Sequence, residues 1–334
     1  MSLSAASLVY INPLITAQKN LFRFGGPIFI FIGTVSGILS LIVFTQKYLR
    51  KSPCSIYFNA YNIAILVLIY GSFLPITLEI GYDITPVIYH LLLCRLRLFT
   101  TFLLNCLCPF YLLLASVDRV LVTSPNARTR QRSTHRLAFF SIIIGTICWI
   151  IGLSHVLVFS EIIVLLTGTS VCYVTLGWYS KAISYVSLVK EILIPLLMTF
   201  FGLWSIRNIR NIRRITIATN STSGIGNHVG TNSISSRARD RQMILMLLID
   251  ITIYIFFSLI MAISLMYEQI TLNRVKTLEV FQVETFVKSV AMFTAHIPFC
   301  VTCYANLLVS KTFRKEVKHL LSWKRLLSCC RKCN

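Results

Sequence analysis

The sequence predicts an all-α membrane protein: a bundle of seven transmembrane helices followed by a short amphipathic eighth helix. Three observations predict it. Hydrophobic residues make up 56% of the 334-residue chain and charged residues only 13%, about half the ~25% of an ordinary soluble domain. Most of the length falls in uncharged runs of about 20 residues or more, enough to cross ~30 Å of hydrocarbon. Lys and Arg gather in the connections between alternate runs, as in a chain that threads a bilayer repeatedly.

Residues 1–24 read as a tail on the outer side of the membrane, and the spans are expected at about 25–46, 54–78, 96–118, 137–160, 182–206, 242–267 and 284–309. Phe24–Gln46 and Ser52–Leu78 carry no charge. Leu98–Val117 ends at an Asp-Arg pair. Leu137–Ser160 has only His155 as a titratable group. The fifth run is clean over Ile192–Ile206, and reaches spanning length only if it starts near Lys181 with Lys190 and Glu191 close to its outer end. Gln242–Tyr267 holds one charge, Asp250, and the last run is Ser289–Ser310. Ile162–Ser180 is also uncharged, but Gly168, Gly177 and its Thr/Ser content read as an apolar loop or short hairpin. If it spans, the count becomes eight.

Orientation follows from the basic residues. Of the 32 Lys and Arg, most lie in Lys47–Lys51, Arg119–Arg136, Arg207–Arg241 and Lys311–Lys332. Seven spans put all four groups on one side, the cytoplasmic one, and the N-terminus outside. Eight spans would put basic clusters on both sides. Residues 207–241 are then the third cytoplasmic loop, flexible over the Ser/Thr/Gly/Asn-rich Thr216–Ser236, and 311–334 the eighth helix and tail. The sequon Asn220-Ser-Thr falls on the cytoplasmic side and reads as chance. The formal charge of +21 is spread over these clusters, not over one basic face of a soluble fold, so nucleic acid is not an expected partner. No N-terminal signal peptide is obvious. Among eleven cysteines Cys330 and Cys333 form a CxxC at the C-terminal end, no CxxC repeats at zinc-like spacing, and His155 and His296 stand apart from any HExxH. Neither metal nor cofactor is expected, nor enzymatic activity.

The most informative residues flank the third span. Cys94 lies near its outer end and Asp118-Arg119-Val120 at its inner end, separated by about 25 residues, or ~37 Å of helix. This resembles the third helix of rhodopsin-like G-protein-coupled receptors, and the chain looks like a divergent, invertebrate orphan-type member. The resemblance implies a disulfide from Cys94 to Cys172 in the second extracellular loop, tying that loop over a ligand cavity. It implies that Asp118 holds Arg119 at rest and that Arg119 is released toward a heterotrimeric G protein on activation. Trp149 and Pro195 sit where the family carries them, and Tyr304 followed by Phe313-Arg314-Lys315 resembles the turn into the eighth helix. There Leu320, Leu321, Trp323, Leu326 and Leu327 would lie on the membrane. Cys329, Cys330 and Cys333 resemble acylation sites, the alternative being free thiols.

In the sixth span Tyr254, Ser258 and Ile260 replace the family's Phe, Trp and Pro. Asp240 lies where many members carry an acid that latches the third-helix Arg; it reads equally as a solvated charge beside Arg239 and Arg241. Asp250 should face the bundle interior and find a polar partner, as a switch residue or a structural acid. Other positions depart from the pattern. Gly37 replaces the first-span Asn, the second-span Asp falls near Leu66 or Val67, Pro125 comes one residue early, and Pro298 precedes Tyr304 by six residues.

On the ligand side, candidates from the outer halves of the spans are Arg95, Arg97, Phe102, His155, Glu191, Met266, Glu284, Lys288 and Phe293. Arg95, Arg97 or Lys288 could take an acidic group, and Glu191 or Glu284 an amine. The family's amine-binding Asp would fall within Phe99–Phe102, which holds no acid. The retinal-bearing Lys would fall at Thr294 or His296. The resemblance therefore implies an extracellular peptide or a small chemosensory molecule as ligand, at the plasma membrane. The basic loops, including Arg128, Arg130, Arg207 and Arg210, face anionic lipid as well as the G protein. A multi-pass transporter is the alternative; it predicts inverted repeats and mid-membrane charges, and no repeat is visible.

Overall fold

The computed structural model describes residues 5–321 apart from 47–48, 51, 86–88, 165–169, 176, 223–230, 272–273 and 275; for 5–12, 164, 170–171, 212–222, 231–240 and 320–321 it describes the backbone only. The protein is an all-α bundle of seven helices, each long and apolar enough to cross a membrane: α1 (Pro13–Phe44), α2 (Cys54–Tyr82), α3 (Leu91–Val122), α4 (His135–Val158), α5 (Trp178–Asn211), α6 (Arg241–Thr271) and α7 (Leu278–Val309). It is a multi-pass membrane protein. An eighth helix, α8, follows at Lys311–Leu321. Between α4 and α5 lies an antiparallel hairpin, β1 (Ser160–Val164) and β2 (Ser170–Val174), with Ile162 opposite Cys172. The segment read as a loop or short hairpin is a hairpin, and does not add an eighth span.

Helices are the expected solution where lipid offers no hydrogen bonds, because each satisfies its own backbone. Local chemistry sets their ends. Thr134 and Thr277 cap α4 and α7, each accepting from a backbone N–H three residues on, at 3.2 and 3.4 Å. α2 stops at Asp83, which takes the left-handed conformation (φ 57°), one that Asp tolerates better than most residues.

The helices outrun the apolar cores read from sequence. The expected tail over 1–24 is instead helical from Ala5, continuing into α1. Polar contacts anchor it: Gln18 donates to Ser289 at 2.9 Å, and Lys19 pairs with Asp83. At the other end of the bundle the α5 helix runs on to Thr222, and the helix containing α6 begins at Thr231. The expected flexible loop Thr216–Ser236 is thus largely helical outside 223–230. Extending an existing helix adds a hydrogen bond per residue without a new nucleus, and the Arg- and Ile-rich sequence after Ile206 does not oppose it.

Prolines interrupt several spans. Each removes a backbone N–H and so leaves the carbonyl four residues earlier without its helical donor. Before Pro27 and Pro75 the helix widens into a π turn, at Leu21–Gly25 and Ile69–Phe73. Pro27 frees the carbonyl of Arg23, and the Tyr82 hydroxyl donates to it at 2.9 Å, joining α1 to α2. Their crossing is close: a Cβ on Gly81 would lie 2.9 Å from the Arg23 backbone nitrogen, where no side chain can swing aside.

α3 is the central rod, packed against α2, α4, α5 and α6. Around its Arg119 end the core joins Phe58, Leu112 and Ala115 to Met198 and Met246, with Phe44 stacked on Phe58 at 4.7 Å. Phe313 and Val317, one turn apart, bury the inner face of α8 in the same core, while Arg314, Lys315 and Lys318 stay exposed. α4 is the outermost helix, burying only Ala138, Leu153 and Val156.

Candidate functional site: an ion pair and a disulfide at opposite ends of one helix

Asp118 and Arg119 lie in the last turn of α3, both buried. Arg119, 1% exposed, is the largest fully buried side chain among the described residues. Its Nη2 lies 2.5 Å from Asp118 Oδ2 and donates to Ser52 Oγ at 3.1 Å. Ser133 Oγ donates to the other carboxylate oxygen. A buried ion pair is tolerated only when its remaining hydrogen-bonding capacity is met. Here Ser52, just before α2, and Ser133, just before α4, help to meet it. The pair therefore connects the entrances of α2 and α4 to the end of α3. Thr123 Oγ1 donates to the Arg119 carbonyl at 2.7 Å and lies 3.4 Å from Ser205 Oγ on α5. Val120 is partly exposed on the next face. Ser52 and Ser133 carry no sequence signal, since a serine beside a helix start is commonplace.

Asp240 is the expected second partner of Arg119. Its side chain lies outside the described residues, as do Cys329, Cys330 and Cys333.

At the far end of α3, Cys94 and Cys172 form a disulfide that fixes β2 to the helix. Arg95 Nε adds a bond to the Ser160 carbonyl at 3.2 Å. Beneath the hairpin Val156, Val174, Tyr179 and Ile183 form a small core against Phe99 and Phe102. The hairpin is thus held covalently, by hydrogen bonding and by burial.

The interior carries a second buried acid. Asp250 on α6 faces Asn306 on α7, whose Nδ2 lies 3.3 and 3.4 Å from the two carboxylate oxygens. The expected polar partner is present; Asn306 itself is not evident from sequence. Tyr254, one turn beyond Asp250, is buried with its ring 6.5 Å from that of Phe299. Tyr304 is not gathered with the other switch candidates. Its hydroxyl donates to the Ile32 carbonyl on α1 at 3.3 Å, and Asn306 occupies the inward face of α7 instead.

A third polar cluster corrects the reading of α5. Lys190 and Glu191 were expected near its outer end. Because the helix starts at Trp178, they sit about three turns inside it, level with Asn105 on α3 and Ser258 on α6. Lys190 Nζ lies 2.5 Å from Glu191 Oε1 and donates to the Asn105 carbonyl of α3 at 3.3 Å. Ser258 on α6 donates to Glu191 Oε2 at 2.5 Å and to the Glu191 carbonyl at 3.0 Å. Both carbonyls are ones that prolines free: Asn105 lies four residues before Pro109, and Glu191 four before Pro195.

The remaining ligand candidates do not converge on one cavity. Arg97 pairs with Glu79 at 2.5 Å, Lys288 with Glu268 at 2.7 Å, and Glu284 with Lys276. These three candidates are therefore each paired with an opposite charge. Phe293 is buried among Phe22, Phe29 and Phe73 between α1, α2 and α7. Met266 lies exposed on the bundle's outer surface. His155 is exposed, its ring edge-on to Tyr179 at 5.7 Å. Periodicity marks the half of a span in which these residues lie, but not the face.

No protein-family model matches the chain, and no curated protein matches it.

Proposed function

We propose that the chain is a rhodopsin-like G-protein-coupled receptor of the plasma membrane, with the hairpin outside the cell and the Arg119 end in the cytoplasm. One observation carries the reading: a single helix, α3, ends in a buried Asp-Arg pair on one side and in a disulfide-pinned hairpin on the other. The first is a charge that can be exposed by a small opening of the bundle; the second holds a rigid cover over the opposite mouth.

The mechanism follows from linkage. A ligand at the hairpin end that binds better to a form with an open Arg119 end shifts the population toward that form, and a heterotrimeric G protein that binds there favours it reciprocally. In the closed form Arg119 is occupied by Asp118 and Ser52. Opening makes the guanidinium available, with exposed Arg128, Arg130, Arg207 and Arg210 around it. These cations also suit anionic lipid headgroups. A peptide or small chemosensory molecule is the proposed ligand.

The test is nucleotide exchange on purified G proteins by the full chain in lipid nanodiscs, screened against peptide and small-molecule libraries. A ligand should accelerate exchange in the wild-type chain and fail to do so in Arg119→Ala. Equal stimulation of both would contradict the role of Arg119.

The second reading, a multi-pass transporter, is favoured by Lys190, Glu191 and Asp250, charges deep inside spans. Ligand-dependent uptake into proteoliposomes lacking any G protein would support it.

A further inference from the structure

We infer that Ser258, Glu191 and Lys190 form a latch at the middle of the bundle that holds α6 against α5 and α3 in the closed arrangement, and that its release is a step in opening the Arg119 end. The inference rests on the receptor reading only for what the opening does; the latch itself stands on geometry.

Among the described residues, the hydrogen bonds between α5 and α6 are the two from Ser258 Oγ to Glu191. Elsewhere in that contact Gly202 approaches the apolar side chains of Leu248 and Ile251. Apolar side chains in lipid lose little when they slide, because lipid tails replace one another's contacts. A hydroxyl leaving a carboxylate in such surroundings has few other acceptors, so the bond gives the α5–α6 contact one preferred register.

The acceptor is itself held. Side chains adjacent in sequence normally diverge on a helix, yet Lys190 and Glu191 meet at 2.5 Å, and Lys190 Nζ is fixed from the other side by the Asn105 carbonyl. Lys190 thus acts as a positioning residue: it neutralises Glu191 and ties it to the central rod. Pro109 and Pro195 free the Asn105 and Glu191 carbonyls that complete the cluster, so three helices meet where two of their backbones are already short of a donor. The cluster lies between the hairpin end and the Asp118–Arg119 pair, and α6, which contributes Ser258, also contributes Asp250 to the α7 contact. A displacement of α6 breaks the Ser258 bonds before any on α3 need change.

The experiment uses the full chain in nanodiscs, with Cys148, Cys329, Cys330 and Cys333 replaced by Ser and spin labels on Ala127→Cys and Arg241→Cys, both exposed. Pulsed dipolar spectroscopy then reads the separation between the segment following α3 and the start of α6 at the Arg119 end. Ser258→Ala should raise the population of the longer separation about tenfold, as loss of one charge-assisted hydrogen bond permits. Ser258→Thr, which keeps the hydroxyl, should restore the wild-type distribution. Ser258→Ala is chosen because it leaves the Lys190–Glu191 pair intact, so the bundle keeps its charge balance. Identical distributions in wild type and Ser258→Ala, or an equal shift in Ser258→Thr, would overturn the latch. A shift confined to Ser258→Ala supports it even if no variant stimulates nucleotide exchange; that result would count against the receptor reading alone.

Discussion

Among the described residues two ion pairs join sequence neighbours at 2.5 Å, the buried Asp118–Arg119 and the partly buried Lys190–Glu191, and their surroundings differ. The first sits in the last turn of α3, where chain segments entering α2 and α4 bring the hydroxyls of Ser52 and Ser133 to it. The second sits mid-bundle, where all neighbouring backbone is helical. Its extra partners are the Ser258 hydroxyl and two carbonyls that prolines release. At a helix end, loops can supply polar groups. In the interior, the backbone can supply them only where a helix is broken, and Pro109 and Pro195 break two helices at the required height.

Removing a member of the first pair should have the largest effect. Arg119→Ala leaves Asp118 buried without its cation, a loss of about 3–5 kcal/mol for a buried pair. Ligand-stimulated exchange should vanish, and the thermal midpoint of the purified chain should fall. An unchanged midpoint would mean that Asp118 is not held as described. Asp118→Asn keeps the shape but weakens the hold on Arg119, and should raise ligand-independent exchange.

Next in size is the disulfide. Cys94→Ser and Cys172→Ser should each destabilise the chain by about 2–5 kcal/mol, and the double variant no more than either single one. Thermal unfolding of all three would show it; additive losses would mean that each cysteine acts alone. Asn306→Leu should cost about 1–3 kcal/mol, because Asp250 then lacks its partner. Adding Asp250→Leu should recover part of that loss, and a double variant no more stable than Asn306→Leu would show that the two side chains are not coupled.

The smallest effect bears most closely on the comparison. Pro195→Ala restores an N–H that competes with Ser258 for the Glu191 carbonyl. It should straighten α5 and weaken the mid-bundle cluster by roughly 1 kcal/mol, while leaving the Asp118–Arg119 pair untouched. Differential hydrogen exchange of α5 and α3 would report it. Loss of protection around Arg119 would show that the two clusters are not independent.

The seven spans were readable because lipid demands long uncharged runs, and the hairpin because Gly168 and Gly177 break an otherwise apolar stretch. Asp118 and Arg119 stood out because, with Cys94, they resemble the third helix of a known receptor family. Lys190 and Glu191 lie deeper than the apolar run suggests because α5 starts at Trp178, before Lys181, and because Asn105 and Ser258, near the middles of α3 and α6, meet them there. Where Met266, Phe293 and Tyr304 point was not legible for a related reason: sequence gives depth along a helix, while rotation about its axis is set by neighbours. Asn306, Ser52 and Ser133 are ordinary polar residues until the fold brings an acid or a guanidinium to them.

The most direct test of the central claim asks on which side of the membrane each end of α3 lies. Tyr89→Cys is exposed at the hairpin end and Lys315→Cys at the Arg119 end. Each is introduced into a chain with Cys148, Cys329, Cys330 and Cys333 replaced by Ser, and intact cells are treated with a membrane-impermeant maleimide. The account predicts labelling of Tyr89→Cys on intact cells and of Lys315→Cys only after permeabilisation. Labelling of both from one side, or the reverse order, would contradict it.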